Sequence, residues 1–187
     1  MLSRRNVSLK KFSLLLLDAN IVIELFRLKL WDDFINLCDT HLARTVVNES
    51  KYWEDDLQNE NSIDLSTYER DGHITIHDMD SSALEVLTEQ FGPNILEKLD
   101  AGEAESLAVL CSSEERFLVS SADSITYRVL GALNRSDQGI SLEEILAALG
   151  LTKNLPHRFS KAFREKWSRC GFEEGISGLA FTKPNKG

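Results

Sequence analysis

Cysteine is scarce in this chain and never closely spaced. Cys38, Cys111 and Cys170 lie far apart with no Cys-x-x-Cys run. That argues against a disulfide framework and against a cysteine zinc site, and a reducing compartment, the cytoplasm, is the simplest home for them. Long apolar runs are missing too. The densest, Leu14-Leu15-Leu16-Leu17, is far too short to span a bilayer, so no membrane partner is expected. Arg4, Arg5, Lys10 and Lys11 precede it in the manner of a signal peptide, yet Asp18 cuts it off and no small-residue cleavage pattern follows. It reads as a buried strand. No Gly-x-Gly-x-x-Gly or Walker A run offers a phosphate cradle. Ser120-Ser121 lacks His and Asp companions for a triad.

The 187 residues are 42% hydrophobic and 27% charged, ordinary proportions for one globular domain with a real core. The formal net charge of −9 is unevenly spread. Residues 1–30 hold six Lys/Arg against two acids and residues 153–187 hold eight against three, which leaves −18 for the middle. This is not the profile of a protein that coats DNA non-specifically. It fits a site that gathers carboxylates, with positive charge nearby for a polyanion, although solvated faces account equally well for most single charges.

Residues 1–11 read as a basic, frayed arm. Phe12 to Leu17 predicts a strand covered on both faces, followed by helical segments over Ile21 to Leu30 and Trp31 to Cys38. Leu42 to Val47 predicts a second strand, carried by Thr45, Val46 and Val47, with Asn48 capping a helix that begins at Glu49. The polar stretch 54–72 reads as a long loop or lid. His73 to His77 alternates like a short strand, and Ser82 to Phe91 is helical until Gly92-Pro93. A helix opens at Asp100-Ala101-Gly102-Glu103, a strand runs from Arg116 to Ser120, and a helix covers Ala122 to Leu133. Ser141-Leu142-Glu143-Glu144 is a capping-box start, and Leu155 to Cys170 reads as a basic amphipathic helix. Such alternation implies an α/β/α arrangement around a mostly parallel sheet, whose ligands gather at the carboxyl ends of the strands.

Four acids fall at places that a parallel sheet brings together. Asp18 ends the first strand, Glu49 follows the second, Glu103 opens the central helix after Asp100, and Asp123 follows the strand ending Val119-Ser120. Taken singly, each is more often a helix cap, and Asp100-x-x-Glu103 is itself a capping-box pattern. Glu103 also falls at the edge of its helix's apolar face, where a carboxylate is costly unless satisfied. Glu105 is expected to point the other way, into solvent. Asn20 and Ser121 stand beside Asp18 and Asp123 and could orient their contacts. Carboxylates that converge repel one another, which Mg²⁺ or Mn²⁺ resolves through oxygen ligands. Such ions position water for in-line attack on phosphate.

The runs Leu-Leu-Leu-Leu-Asp-Ala-Asn (14–20), Val-Val-Asn-Glu (46–49), Asp-Ala-Gly-Glu-Ala-Glu-Ser-Leu-Ala (100–108) and Phe-Leu-Val-Ser-Ser-Ala-Asp (117–123) together resemble the PIN-domain pattern, over about residues 13 to 150. The resemblance implies a PIN-like nuclease domain at 12–150, a Mg²⁺- or Mn²⁺-dependent ribonuclease and, in bacteria, often the toxin of a toxin–antitoxin pair. By match to the motif, Asp18, Glu49, Glu103 and Asp123 take the catalytic metal positions, with Asp100 an extra ligand or a cap. RNA is the implied substrate, and the reading leaves room for an antitoxin or other protein partner and for a homodimer. The sequence departs from the pattern in the length of 54–72, in a poorly marked last strand near Gly139-Ile140, and in the basic helical extension at 151–187.

Within that extension, Arg158, Lys161, Arg164, Lys166 and Arg169 could meet RNA phosphates, or equally an acidic partner, with Phe159, Phe163 and Trp167 packing beneath. His73 and His77 share a strand face without further ligands, and His41 and His157 are isolated. Three rival readings use the same acids: a structure-specific DNA nuclease, a phospho-acceptor domain lacking a convincing strand-end lysine, and an inactive PIN-like module that binds a partner.

Overall fold

The computed structural model describes residues 12–55 and 57–181. The basic arm read over 1–11 and the last six residues of the extension lie outside them. In chain order the elements are β1 (Phe12–Leu17), α1 (Ala19–Arg27), α2 (Trp31–Leu37), β2 (Cys38–Ala43), α3 (Arg44–Glu49), β3 (Tyr52–Glu54), β4 (Glu60–Ser62) and α4 (Leu65–Arg70). They continue with β5 (Ile74–His77), α5 (Ser81–Gln90), α6 (Pro93–Leu96), α7 (Ala101–Ser112), β6 (Leu118–Ser120), α8 (Ser124–Ala132), α9 (Leu142–Leu149) and α10 (Lys161–Ile176).

Four strands form an all-parallel sheet in the order β5-β2-β1-β6. Leu17 lies opposite both Leu42 and Ser120, so the carboxyl ends of β2, β1 and β6 are level. Alternation along β1 divides the core. Leu15 and Leu17 face one way, onto α1, α2 and α9 through residues such as Val22, Phe34 and Ile145. Leu16 faces the other, with Val119, onto Val109, Leu110, Tyr127 and Leu130 of α7 and α8. Burial on both faces explains the unbroken leucine run of β1. The result is the α/β/α three-layer fold expected, with a helical C-terminal extension.

Three expectations change. The second strand is Cys38–Ala43, and Thr45, Val46 and Val47 belong to α3. Their strand preference is overridden because Glu105 accepts the free amide of Thr45 at the helix start (2.7 Å), while Val46 is buried in the core. The stretch 54–72 is not a loop: β3 and β4 make an antiparallel hairpin and α4 follows, capped by Asp64. Finally, the C-terminal helix starts and ends later than its charges suggested, at Lys161 under a Ser160 cap and at Ile176.

Glycine explains why that helix runs on through Gly171 and Gly175. A β-carbon on Gly171 would stand 1.9 Å from the carbonyl oxygen of Arg128, and one on Gly131 would stand 2.1 Å from that of Ser168. Helices α8 and α10 therefore touch backbone to backbone, and Arg128 closes the contact with a twofold bond to Glu174 (2.7 and 3.2 Å). Cys111 and Cys170 are free thiols, and Cys38 is buried in the core. Among the described residues, no helix is long and apolar enough to cross a membrane.

Candidate metal centre

The carboxyl edge of the sheet is built around β1 and β6. Asp18 is the first residue past β1; its amide donates to Ser120 at the end of β6 (3.0 Å), and its Oδ1 accepts from Ala19 (2.6 Å) as α1 begins. The Ser121 hydroxyl donates to Asp18 Oδ2 (3.0 Å) and accepts from the amide of Asp123 (2.9 Å). Asp123 in turn caps α8 by accepting from Ile125 (3.1 Å). Beneath this turn, the fully buried Tyr127 hydroxyl accepts from the Ser121 amide (3.2 Å) and lies within reach of the carbonyls of Ser121 (2.8 Å) and Ile140 (3.1 Å). Ile140 follows the parallel bridge between Val119 and Gly139, the remnant of the poorly marked last strand.

Helix α7 brings its own acids to the same edge. Asp100 and Glu103 form the capping box, with bonds of 2.8 and 3.1 Å, and Glu103 is buried. Burial pushes the Glu103 carboxyl up to about 8; the bond from the Asp100 amide opposes this, and the charges of Asp100, Asp123 and Asp18 add to it. Burial likewise raises Asp18, against the bonds from Ser121 and Ala19, with Asp100 pushing upward and Asn20 opposing weakly. Glu49 is raised by partial burial and then by Asp100, Asp18 and Glu105. Its carboxylate lies where a β-carbon on Gly102 would be, 2.7 Å from that point, so the bare glycine admits it to the N-terminal turn of α7. Asp18, Glu49, Asp100, Glu103 and Asp123 thus act on one another, the first and fourth buried and the others exposed at the rim.

Helix capping explains part of this. Asp18, Asp100 and Asp123 all cap helices, as the bland reading of each acid expects. Capping does not explain Glu49. It is the last residue of α3, not the first of a helix as the sequence suggested, and the dipole there disfavours a carboxylate. Nor does it require five acids at one edge. Their donors are all oxygen, which suits a hard cation such as Mg²⁺ or Mn²⁺. Among the described residues, no three His, Cys, Asp or Glu groups already stand at the spacing of a metal shell.

Glu105 overturns its expected solvent exposure. It is buried and accepts from the amides of Thr45 (2.7 Å) and Met79 (3.3 Å), tying α3 to the segment after β5. The small and apolar residues all round α7 were the available signal, since Gly102 to Leu110 is buried on every side except Ala104. His41 is not isolated either: its Nδ1 lies 2.9 Å from His77 Nε2, with Phe117 edge-on to both rings. His73 meets Tyr68 and not His77, and His157 packs on Phe163.

In the basic extension, Arg164 is spent on a twofold bond to Glu144 (2.8 and 2.9 Å) between α9 and α10, so it is withdrawn from any phosphate-binding set. Its planar fork matches a carboxylate, and sequence gave no hint of that partner. Arg158, Lys161, Lys166 and Arg169 remain exposed, Arg158 lying over Phe159 and Lys166 over Trp167. Phe159 is fully buried, and Phe163 and Trp167 pack towards Tyr127 and its neighbours, as a core role requires. Compared with known family models, with curated proteins and with solved structures, the chain matches none.

Proposed function

We propose that this protein is a metal-dependent phosphodiesterase, a PIN-like endoribonuclease with its site at the carboxyl edge of β1 and β6. One observation carries the reading. Five carboxylates from four separate segments are gathered at this edge, and burial, with the charges of Asp100, Asp123 and Asp18 added, holds Glu103 up to about 8. A fold gains nothing from that arrangement unless a cation or a proton relieves it. Asp18, Glu49, Glu103 and Asp123 would hold Mg²⁺ or Mn²⁺, with Asp100 alongside. When bound, the ion would supply activation of water and neutralisation of charge on the phosphate.

The chain's own groups have distinct tasks in this reading. Ser121 and Ala19 each occupy one oxygen of Asp18, fixing its plane while leaving a lone pair on both. Glu103 holds a proton near neutral pH until a cation displaces it. Glu49 and Asp123 stand at the rim, where an extended strand has access. Nothing in this scheme needs a protein nucleophile.

The test is cleavage of an RNA pool, and of single- and double-stranded DNA, by wild type and Asp18→Asn with and without Mn²⁺. The proposal expects Mn²⁺-dependent RNA cleavage by wild type alone. DNA cleavage without RNA cleavage moves the substrate to DNA. Equal cleavage by both proteins removes Asp18 from the reaction, and no cleavage by either removes the enzyme.

A further inference from the structure

A second concavity lies apart from the acid edge. Helix α1, the β3–β4 hairpin and the turn at Pro156–Arg158 enclose a groove of about 600 Å³. Ile23 and Arg27, one turn apart on α1, form one wall. Tyr52 and Trp53 form the other, Tyr52 being 56% exposed. Tyr52 thus presents its ring at the mouth of a groove, and aromatic side chains with one polar end are enriched at contact surfaces.

The charges tell what the groove accepts. Glu54 and Glu60 lie directly opposite each other across the hairpin, both exposed, and Asp55 follows at the same rim. Like charges in a cross-strand pair weaken a hairpin, and one with three-residue strands has little stability to spare. Four acids, Glu24, Glu54, Asp55 and Glu60, line the groove against two arginines, Arg27 and Arg158, so its wall is acidic on balance. Arg27 is bonded twice to Glu24 (2.9 and 2.6 Å), and Arg158 lies over the Phe159 ring at 4.9 Å. Electron-rich ring faces beside an excess of carboxylates are the surroundings that a guanidinium or ammonium group on an aliphatic stem prefers. A lone metal ion would leave the rings unused, and a polynucleotide would set its phosphates against Glu54, Asp55 and Glu60.

We propose that this groove docks a basic, extended segment of a protein partner. Arg or Lys stems lie on Tyr52 and Trp53, and their heads meet Glu54 and Glu60. None of the acids at the strand ends takes part, so the inference stands or falls apart from the nuclease reading.

Fluorescence anisotropy of a labelled alternating Arg-Ala peptide, titrated with the full chain, tests it. Three variants accompany wild type: Tyr52→Ala with Trp53→Ala, Glu54→Gln with Glu60→Gln, and, far away on α5, Glu85→Gln with Glu89→Gln. Wild type should bind, each groove pair should weaken binding about tenfold, and the α5 pair should leave it unchanged. Glu54→Gln with Glu60→Gln should melt no lower than wild type, because it removes a repulsion, so its loss of binding is not a loss of fold. The proposal is overturned if wild type does not bind, if the α5 pair weakens binding equally, or if a labelled single-stranded RNA binds and is lost in the groove variants instead.

Discussion

Ser121 donates its hydroxyl to Asp18 Oδ2 at 3.0 Å, joining two residues 103 positions apart in the chain. Because the Ser121 hydroxyl oxygen also accepts from the amide of Asp123, one small side chain sets the spacing of two acids that lie just past neighbouring strands. The requirement stated by the topology is met: Asp18 and Asp123 lie on the same side of the molecule.

That bond makes Ser121→Ala informative. The substitution keeps every carboxylate but frees Asp18 to rotate and leaves the Asp123 amide without its acceptor. In the nuclease reading, the Mn²⁺ concentration for half-maximal cleavage should rise about 10–100-fold, the usual cost of losing a partner behind a ligand. Ser121→Thr, which keeps the hydroxyl, should recover most of it. A metal dependence unmoved by alanine would mean that Ser121 serves the turn alone.

Glu103 gives a pH dependence whose sign follows from burial. Its carboxyl titrates near 8 in the fold against an ordinary 4.5, so between those values the folded chain binds more protons than the unfolded one. The stability is present below 4.5 and lost as pH rises through about 8; the raised carboxyls of Asp18 and Glu49 act in the same direction. Melts without divalent cation should fall by roughly 5 °C or more from pH 5 to pH 8.5. Glu103→Gln should flatten that slope, and Mn²⁺ should reverse it while releasing a proton on binding. An unchanged slope in Glu103→Gln counts against the assignment.

His41 and His77 impose the opposite limit. Burial, then the neighbouring His41, lowers the His77 imidazole below its ordinary 6.5, with Glu115 pulling weakly the other way. A depressed histidine contributes stability above 6.5 that is lost as pH falls through its folded value. With a single shared proton the two rings accept one another; with a second they repel. His77→Gln should therefore lessen the acid-side loss of stability below pH 6 in urea melts, while leaving the alkaline limb untouched.

Gly171→Ala probes the contact between α8 and α10. With the new carbon 1.9 Å from the Arg128 carbonyl, the helices must part, at a cost of about 3 kcal/mol, or roughly 6–12 °C in melting temperature. Gly150→Ala is a useful contrast: nothing lies within 4 Å, but its backbone is left-handed (φ 75°), so only a smaller conformational penalty is expected. Circular dichroism melts of the two decide the order.

The elements that read most clearly from sequence are those with local chemistry. The capping boxes at Asp100 and Ser141 mark the starts of α7 and α9, and the leucine run marks β1 as buried on both faces. What sequence could not reveal depends on partners far along the chain. Thr45 to Val47 look like a strand until Glu105, 60 residues away, caps them as a helix. Arg164 looks like a phosphate ligand until Glu144 takes its fork, and His41 looks alone until β5 brings His77 beside β2. Asp18 and Asp123 were legible because topology alone places them just past strands, whereas Glu49 reaches the edge from the end of α3 and the hairpin groove was hidden within a polar stretch that has no period.

The pairing of β1 with β6 also has a kinetic meaning. Leu17 finds Ser120 only after a loop of about a hundred residues has closed, the kind of distant contact that slows a folding chain. Asp18 and Asp123 become neighbours in the same event. A trapped intermediate that lacks this pairing would have no assembled acid pair, so the onset of any activity during refolding should keep pace with the burial of Tyr127 beneath the Ser121 turn.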